Sequence, residues 1–460
     1  MIKPFHSARS RGQRHRRPQR RPWRNIIGGP KTFDISRLPH ENLKIVPLGG
    51  LEEVGRNMTF LEYGDDILII DMGLQFPEEG MPGIDYIIPN ISYLKEHKDR
   101  IRGVVITHAH LDHIGAIPYL IHELGNPTIY TGALTRGIIL KRQEDFKHLP
   151  PLDIEVINVD EKVRFGDAFD VEFFHVNHNI FDTFGVAVHT PVGIICHTAD
   201  FKFDNNPVGD KPADYAKMAR LSSEGVLLLM SDSTGAEKPG HSISEKTIQE
   251  NLEDIFIHSQ GRIIAATFGS LISRIQQLIT LADKFDRKVA IDGYSMKANV
   301  AIAQELGYIK AKKGIFVDVD KIGNYPPEQQ LICCTGAQGE SNAVLMRIAQ
   351  KEHRYIQLAK GDTVIFSSSV VPGNERTVQS LKDVIYRQGA KVFHYQMMDI
   401  HAGGHAQAED LKMMINLMRP KFFMPIHGNY FLLKLHSDLA ESVGIPTENI
   451  VIPGNGNTVE

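Results

Sequence analysis

Cysteine is scarce in this 460-residue chain: Cys196, Cys333 and Cys334 are the whole set. An odd, sparse set with two adjacent members excludes a disulfide framework, and no C-x-x-C pair is present to build a thiolate metal site. A metal ion, if one is bound, must be held by histidine and aspartate. All three cysteines lie in apolar, strand-like runs, the setting of buried, inert thiols. Long hydrophobic runs are missing as well. Nothing approaches the roughly 20 apolar residues that cross a bilayer, and the basic start lacks the apolar segment of a secretory signal. These absences give the expectation of a cytoplasmic protein with no membrane partner.

Acid is absent from the first 24 residues, which carry Lys3 and eight arginines; removing that +9 from the formal charge of −4 leaves −13 on the remainder. An Arg-rich arm on an acidic body suits a phosphate polymer, and equally suits a solvated tail with no fixed partner. Its Pro and Gln content and its lack of apolar periodicity argue against an amphipathic transit peptide. With Pro4, Pro18, Pro22 and Pro30 and few apolar residues, the segment reads as a disordered arm over 1–35, with structure beginning near Leu43. The chain as a whole is 42% hydrophobic and 23% charged, a globular profile, and its length fits two or three domains.

Residues 36–225 alternate short β-branched runs with turns. Asp65–Asp71 and Gly103–Thr107 read as buried strands, and Val186–Val188 with Gly193–Cys196 as a hairpin closed by Thr190-Pro191-Val192. A helix is expected from Asp112 onward, with Pro118 as its awkward member. From 226 to 398 apolar strands (Val226–Met230, Arg262–Thr267, Lys288–Ile291, Leu331–Cys334, Thr363–Phe366) alternate with helices at 270–285, 295–307, 342–351 and 375–388. This is the rhythm of a parallel sheet covered on both faces. Four strands run into small polar loops at 231–235, 268–270, 335–339 and 367–369, which together suggest an anion or nucleic-acid groove. The last part, 399–460, holds His401-Ala402-Gly403-Gly404-His405, a helix at 408–418, a strand at Phe422–Ile426, and His427.

The sharpest signal is Thr107-His108-Ala109-His110-Leu111-Asp112-His113, between a buried strand and a helix. Four ligand-type side chains in six residues cannot all face a core, because an unpaired buried imidazole or carboxylate is costly. His108 and His110 can aim at one point from an extended turn. Asp112 and His113, on the first helical turn, face a second point nearby. Zn²⁺ takes these donor types at about 2.0–2.2 Å.

This H-x-H-x-D-H run resembles the signature of the metallo-β-lactamase superfamily. The resemblance supplies further ligands in order: His178, then Asp200 as a bridging carboxylate, then His427, with Asp71 steadying the histidine loop from behind the ligands. It implies one ion on His108, His110 and His178 and another on Asp112, His113 and His427. The insertion between Asp200 and His427 resembles the β-CASP nucleases, and several stretches resemble ribonuclease J: Leu48-Gly49-Gly50-Leu51-Glu52-Glu53-Val54-Gly55-Arg56-Asn57-Met58, Ser231-Asp232-Ser233-Thr234-Gly235-Ala236-Glu237, Ala266-Thr267-Phe268-Gly269-Ser270, Thr335-Gly336-Ala337-Gln338-Gly339-Glu340, and Gly404-His405-Ala406.

The implied fold is α/β: a metallo-β-lactamase αββα sandwich interrupted by an inserted β-CASP domain with a doubly wound, mostly parallel sheet. The implied activity is two-metal hydrolysis of RNA, both 5′→3′ exonucleolytic with a preference for a 5′-monophosphate and endonucleolytic, in mRNA decay and rRNA maturation. The cofactors are two divalent ions, zinc first and manganese second. The partners are single-stranded RNA, a second copy in a homodimer or higher oligomer, and RNA-degradation or ribosome-associated proteins. His405 is the implied proton donor oriented by Asp232; His401 contacts phosphate; Ser270, Arg274, Ser369 and Asn374 line a 5′-phosphate pocket, with helix capping as the competing role for Ser270. Three departures weaken the expected grip on substrate: Gly403 stands where serine is usual, Ala199 where glycine is usual, and Tyr294 where arginine is usual. The resemblance also implies that the family's linker and small C-terminal domain are missing after Glu460. The competing classes are a catalytically weak RNA-binding or assembly subunit, which the filled ligand set disfavours, and a hydrolase of a small ester or lactam, which the insertion disfavours. DNA cleavage shares the chemistry.

Overall fold

Short β-branched runs punctuated by Gly and Asp turns become strands. The computed structural model describes residues 42–77, 80–371 and 373–460; the Arg-rich arm read at 1–35 lies outside them. Lys44–Gly49 (β1), Met58–Tyr63 (β2), Asp66–Ile70 (β3), Ile101–Val105 (β4), Ile129–Thr131 (β5) and Ile154–Val156 (β6) form one six-stranded sheet in that order. It is antiparallel from β1 to β3 and parallel from β3 to β6.

Lys162–Phe165 (β7), Phe169–His175 (β8), Phe184–Thr190 (β9), Gly193–His197 (β10) and Val226–Asp232 (β11) begin a second sheet. The chain then leaves it for Ile263–Ala266 (β12), Lys288–Asp292 (β13), Gln330–Cys334 (β14), Thr363–Phe366 (β15) and Lys391–His394 (β16). These five make a separate, wholly parallel sheet in the order β13-β14-β12-β15-β16. Phe422–Ile426 (β17) returns to the second sheet and pairs in parallel with β11, giving the order β17-β11-β10-β9-β8-β7.

The first two sheets pack face to face. Leu61, Leu68 and Ile70 of one meet Phe173, Val186 and Met230 of the other in a continuous apolar layer. The outer face of the second sheet is covered by the helices Tyr215–Glu224, Ala408–Met418 and Tyr430–Ser442. The inserted sheet is apolar on both faces, as the sequence rhythm requires. Ile263 and Ala265 join one cluster, and Ile264 and Ala266 the other. The same alternation sends Cys333 and Cys334 to opposite faces. All three cysteines are free and buried, and burial pushes the Cys333 thiol up to about 12.

Two expectations are corrected here. Val226–Met230, read as the first strand of the inserted sheet, is seated between β10 and β17 in the second sheet; the inserted sheet starts at β12. An all-apolar parallel strand looks the same in either sheet, and only the later arrival of β17 decides its place. The helix expected from Asp112 is broken into Leu111–Ile114 and Ile117–Leu120. Pro118 cannot donate a backbone hydrogen bond, so the helix restarts with proline in its first turn, where no such donor is needed.

Candidate metal centre and acid–base pair

Every candidate ligand, and the supporting Asp71, follows the carboxyl end of a strand in one of the two packed sheets. Asp71 follows β3, His108 and its neighbours follow β4, His178 follows β8, Asp200 follows β10, and His427 follows β17. Asp71, Ala199 and His427 all have left-handed φ, of 61°, 56° and 54°. Such backbone costs energy for a residue with a Cβ, and it turns the chain sharply enough to bring the side chains together.

His108, His110, His178 and Asp200 converge on one point, and Asp112, His113, Asp200 and His427 on a second. At the first, His110 Nδ1 lies 3.1 Å from His108 Nε2 and 3.0 Å from His178 Nε2. Their outer partners fix two of these rings. His178 Nδ1 donates to the Gly404 carbonyl at 2.7 Å. Thr107 Oγ1 gives its proton to Asp71 and so accepts from His108 Nδ1 at 3.0 Å. Both Nε2 atoms therefore carry lone pairs, and the single His110 nitrogen between them can donate to only one. A cation resolves the conflict. A tetrahedral ion with bonds of about 2.0–2.1 Å sets its nitrogens roughly 3.3 Å apart, close to what is seen. Burial keeps all three imidazoles neutral: His108 and His178 fall well below the usual histidine range, and His110 falls to about 4.

At the second point His113 Nδ1 donates to Asp71 Oδ2 at 2.7 Å, which turns Nε2 toward Asp200 Oδ2 at 3.3 Å and Asp112 Oδ2 at 3.4 Å. His427 Nε2 is buried without a hydrogen-bond partner, 3.3 Å from Asp112 Oδ2. Its Nδ1 meets Asp200 Oδ1 at 2.8 Å. Burial opposes a charge on either ring, yet the carboxylates outweigh it. Asp200, Asp112 and Asp71 raise His113 well above the usual range, and Asp200 and Asp112 raise His427 to about 10. The pocket's negative charge calls for positive charge, held by protons or exchanged for a divalent ion. Asp200 Oδ2 faces both points, 3.7 and 3.8 Å from His108 and His178 Nε2. The donor set fits two ions sharing one carboxylate.

Beside them His405 Nδ1 lies 2.8 Å from Asp232 Oδ2 and 4.0 Å from Asp200 Oδ2. Burial works against its charged form, but Asp232 and then Asp200 raise its pKa above the ordinary histidine value. Asp232 is brought there by the register of β11 against β17, in which it sits opposite Ile426, next to His427.

The expected phosphate-binding residues are placed unevenly. Ser270, Ser369 and Asn374 are partly exposed at or just beyond the carboxyl ends of β12 and β15. Ser270 does not cap a helix, because Ile272–Lys284 begins after Leu271. His401 is buried, and its Nδ1 has no partner. Arg274 requires a correction. Its side chain is 0% exposed, and both terminal nitrogens are engaged, with Glu245, Ile400 and Ser367. No phosphate in solvent reaches it.

Two further site residues lie in stretches that carry the family resemblance but were given no role there. Asn57 Nδ2 lies 3.2 Å from His113 Nε2 and 3.4 Å from Asp112 Oδ2. Gly404 must lack a side chain, since a Cβ there would stand 2.3 Å from the His178 ring. Gly403 next to it has open space around the same position.

A sandwich with convergent His/Asp donors at its strand ends and a parallel domain inserted before the last ligand defines a metal-dependent hydrolase of the metallo-β-lactamase superfamily. The comparisons agree: residues 51–253 match the metallo-β-lactamase superfamily, 260–385 the ribonuclease J β-CASP domain, and 394–453 the Zn-dependent metallo-hydrolase RNA specificity domain. The chain is 44% identical over 426 residues to ribonuclease J 1 of Streptococcus pyogenes, 41% over 423 to ribonuclease J of Thermus thermophilus, and 42% over 418 to ribonuclease J of Synechocystis. These alignments take in 93%, 91% and 91% of this chain and 75%, 74% and 65% of those proteins. The chain belongs to the ribonuclease J family. A crystal structure of a protein of unknown function from Enterococcus faecalis shares the fold, with a TM-score of 0.66 at 17% identity over 91% of this chain and 99% of that one.

Proposed function

We propose that this chain hydrolyses phosphodiester bonds of single-stranded RNA with two divalent metal ions, zinc or manganese, acting in the cytoplasm in mRNA decay and rRNA maturation. The observation that carries the proposal is the convergence of seven donor residues on two adjacent points joined by Asp200, in a chain of this family. His108, His110 and His178 would hold one ion, and Asp112, His113 and His427 the other. Such ions would supply Lewis acidity toward water and the phosphoryl group.

The chain's own residues do the rest. Asp71 fixes the ring of His113 through Nδ1 and so aims Nε2 inward. Asp232 fixes His405 through Nδ1. Asp232 raises the pKa of His405 above the ordinary histidine value, which favours the protonated ring that the departing 3′-oxygen would need. The partly exposed Ser270, Ser369 and Asn374 are candidates to hold a 5′-monophosphate, which would favour 5′→3′ removal of nucleotides over internal cuts.

The test compares 5′-monophosphorylated RNA, its triphosphorylated form and the equivalent DNA, with zinc or manganese, for the native chain and His110→Ala. Release of mononucleotides from the monophosphate RNA alone, lost in the variant, supports the reading. Cleavage of none of the three by metal-loaded protein refutes it.

A further inference from the structure

Arg274 sits in a deeply buried ionic network, and the network reaches the loop that carries His401 and His405. Glu245 is its hub. One carboxylate oxygen accepts from Lys202 Nζ at 2.9 Å, and the other accepts from Arg274 Nη2 at 2.7 Å and Gln277 Nε2 at 3.0 Å. Lys202 lies two residues beyond Asp200. Glu245, Arg274 and Gln277 belong to the inserted helices Glu245–His258 and Ile272–Lys284.

The guanidinium also reaches out of this cluster. Arg274 Nη1 donates to the Ile400 carbonyl at 2.6 Å, and Ser367 Oγ, following β15, donates to the same carbonyl at 2.7 Å. Asn251 Nδ2 donates to the Asp399 carbonyl at 2.9 Å. The start of the 399–406 loop is thus tied to the inserted domain. Its end is tied elsewhere: Ala406 N–H donates to the Phe201 carbonyl at 2.5 Å, and Ser242 Oγ to the His405 carbonyl at 3.1 Å. Between the two anchors lie His401, with no partner for its Nδ1, and His405, held to Asp232.

We infer that Arg274 is a positioning residue: pairing with Glu245 while donating to the Ile400 carbonyl, it fixes the loop that carries His401 and presents His405 to the metal centre. The inference rests on the proposed ribonuclease reading for its kinetic consequence only. The fork geometry of arginine is required, because one planar group spans a carboxylate and a carbonyl at once. A lysine keeps the charge beside Glu245 but offers one nitrogen in place of the two that separately engage the carbonyl and the carboxylate.

Two variants test this in the full, metal-loaded chain. Arg274→Lys keeps the charge pair and loses the bridge. Ser367→Ala leaves the pair intact and removes the second donor to Ile400. Kinetics are measured on 5′-monophosphorylated and 5′-hydroxyl RNA, together with metal content, thermal midpoint, and amide hydrogen exchange over 399–406. Misplacing a reacting group by a fraction of an ångström costs about tenfold or more in rate. Arg274→Lys is expected to lower kcat by about that much on both RNAs, with KM and metal content little changed, and to speed exchange in the loop; Ser367→Ala shifts both readouts in the same direction by less. Unchanged kcat in folded variants overturns the inference, as does a KM rise confined to the monophosphate RNA, which would make Arg274 a phosphate reader. If Arg274→Lys fails to fold, Ser367→Ala decides alone. Exchange is read without activity: if the native chain cleaves no RNA, the ribonuclease reading fails, and unaltered exchange still overturns the positioning role while faster exchange upholds it.

Discussion

His405 and Asp232 stand 173 residues apart in sequence and 2.8 Å apart in space. Two separate devices bring them together: the parallel register of β11 beside β17, and the loop that returns from the inserted domain. Asp232 is 1% exposed, while the side chain of His405 is 25% exposed. Asp232 is thus placed as a fixed support, and His405 as the group that would meet substrate in the proposed reading. Asp232→Asn keeps the shape but surrenders the charge that orients the ring and holds its proton. Its kcat on RNA should fall by about 10²–10⁴, the usual worth of a positioned general acid, with metal content unchanged. An activity within a factor of about two of the native chain would remove His405 from the proton-transfer role.

Adjacent glycines make opposite predictions. A Cβ on Gly404 would meet His178 at 2.3–2.4 Å, and the same glycine's carbonyl fixes that ring. Gly404→Ala must displace His178 and spoil one metal point, so bound metal should drop from two ions toward one and cleavage should be lost. Gly403 has nothing within 4 Å of the same position. Gly403→Ser should fold with native stability and keep both ions. Metal analysis of the two purified variants checks both statements. Equal metal content in the two would show that the loop yields more easily than its packing implies.

Much of this centre could be read from the residues alone, and the parts that could not share a cause. The run from His108 to His113 places four donors in six residues, which no apolar core tolerates, so its chemistry is visible without a fold. Asp71, His178, Asp200 and His427 needed the order of a known motif, because each alone is an ordinary polar residue near a strand end. Arg274 misled for a related reason. Sequence gives an arginine its charge but not its depth, and this one is wholly buried against Glu245. Glu245 itself looks like a routine acid in a first helical turn behind the capping Ser244. The roles of Asn57 and Gly404 and the seat of β11 depend on contacts made far along the chain, which no local pattern encodes.

The Glu245 network predicts a specific acid sensitivity. Burial raises the Glu245 pKa, but Arg274 and Lys202 overcome it and bring the carboxyl down to about 2. An unfolded glutamate titrates near 4.3. The group therefore adds stability that is fully present above about pH 5, shrinks as pH falls through 4, and is gone below about 2, a total of about 3 kcal/mol. Glu245→Gln should unfold more readily than the native chain at neutral pH, since Arg274 and Lys202 would be left buried without their partner. The gap should narrow steadily between pH 4 and pH 2. Denaturant unfolding across that range measures it, and a gap independent of pH would mean that Glu245 is not ionised in the folded protein.

Ala199 carries strain that a smaller residue would release. Its φ is 56°, it is 1% exposed, and it immediately precedes Asp200. The left-handed conformation crowds the Cβ against the backbone at a cost of about 1–2 kcal/mol, which glycine avoids. Glycine also has more freedom to lose on folding, which offsets part of the gain, so Ala199→Gly should raise stability by about 1 kcal/mol or less. The sign matters more than the size. The chain must turn left-handed here to carry Asp200 between the two metal points, so a residue better suited to the turn should stabilise the fold without lowering metal content or activity. A lower thermal midpoint in Ala199→Gly would show instead that packing of the alanine methyl outweighs the backbone strain.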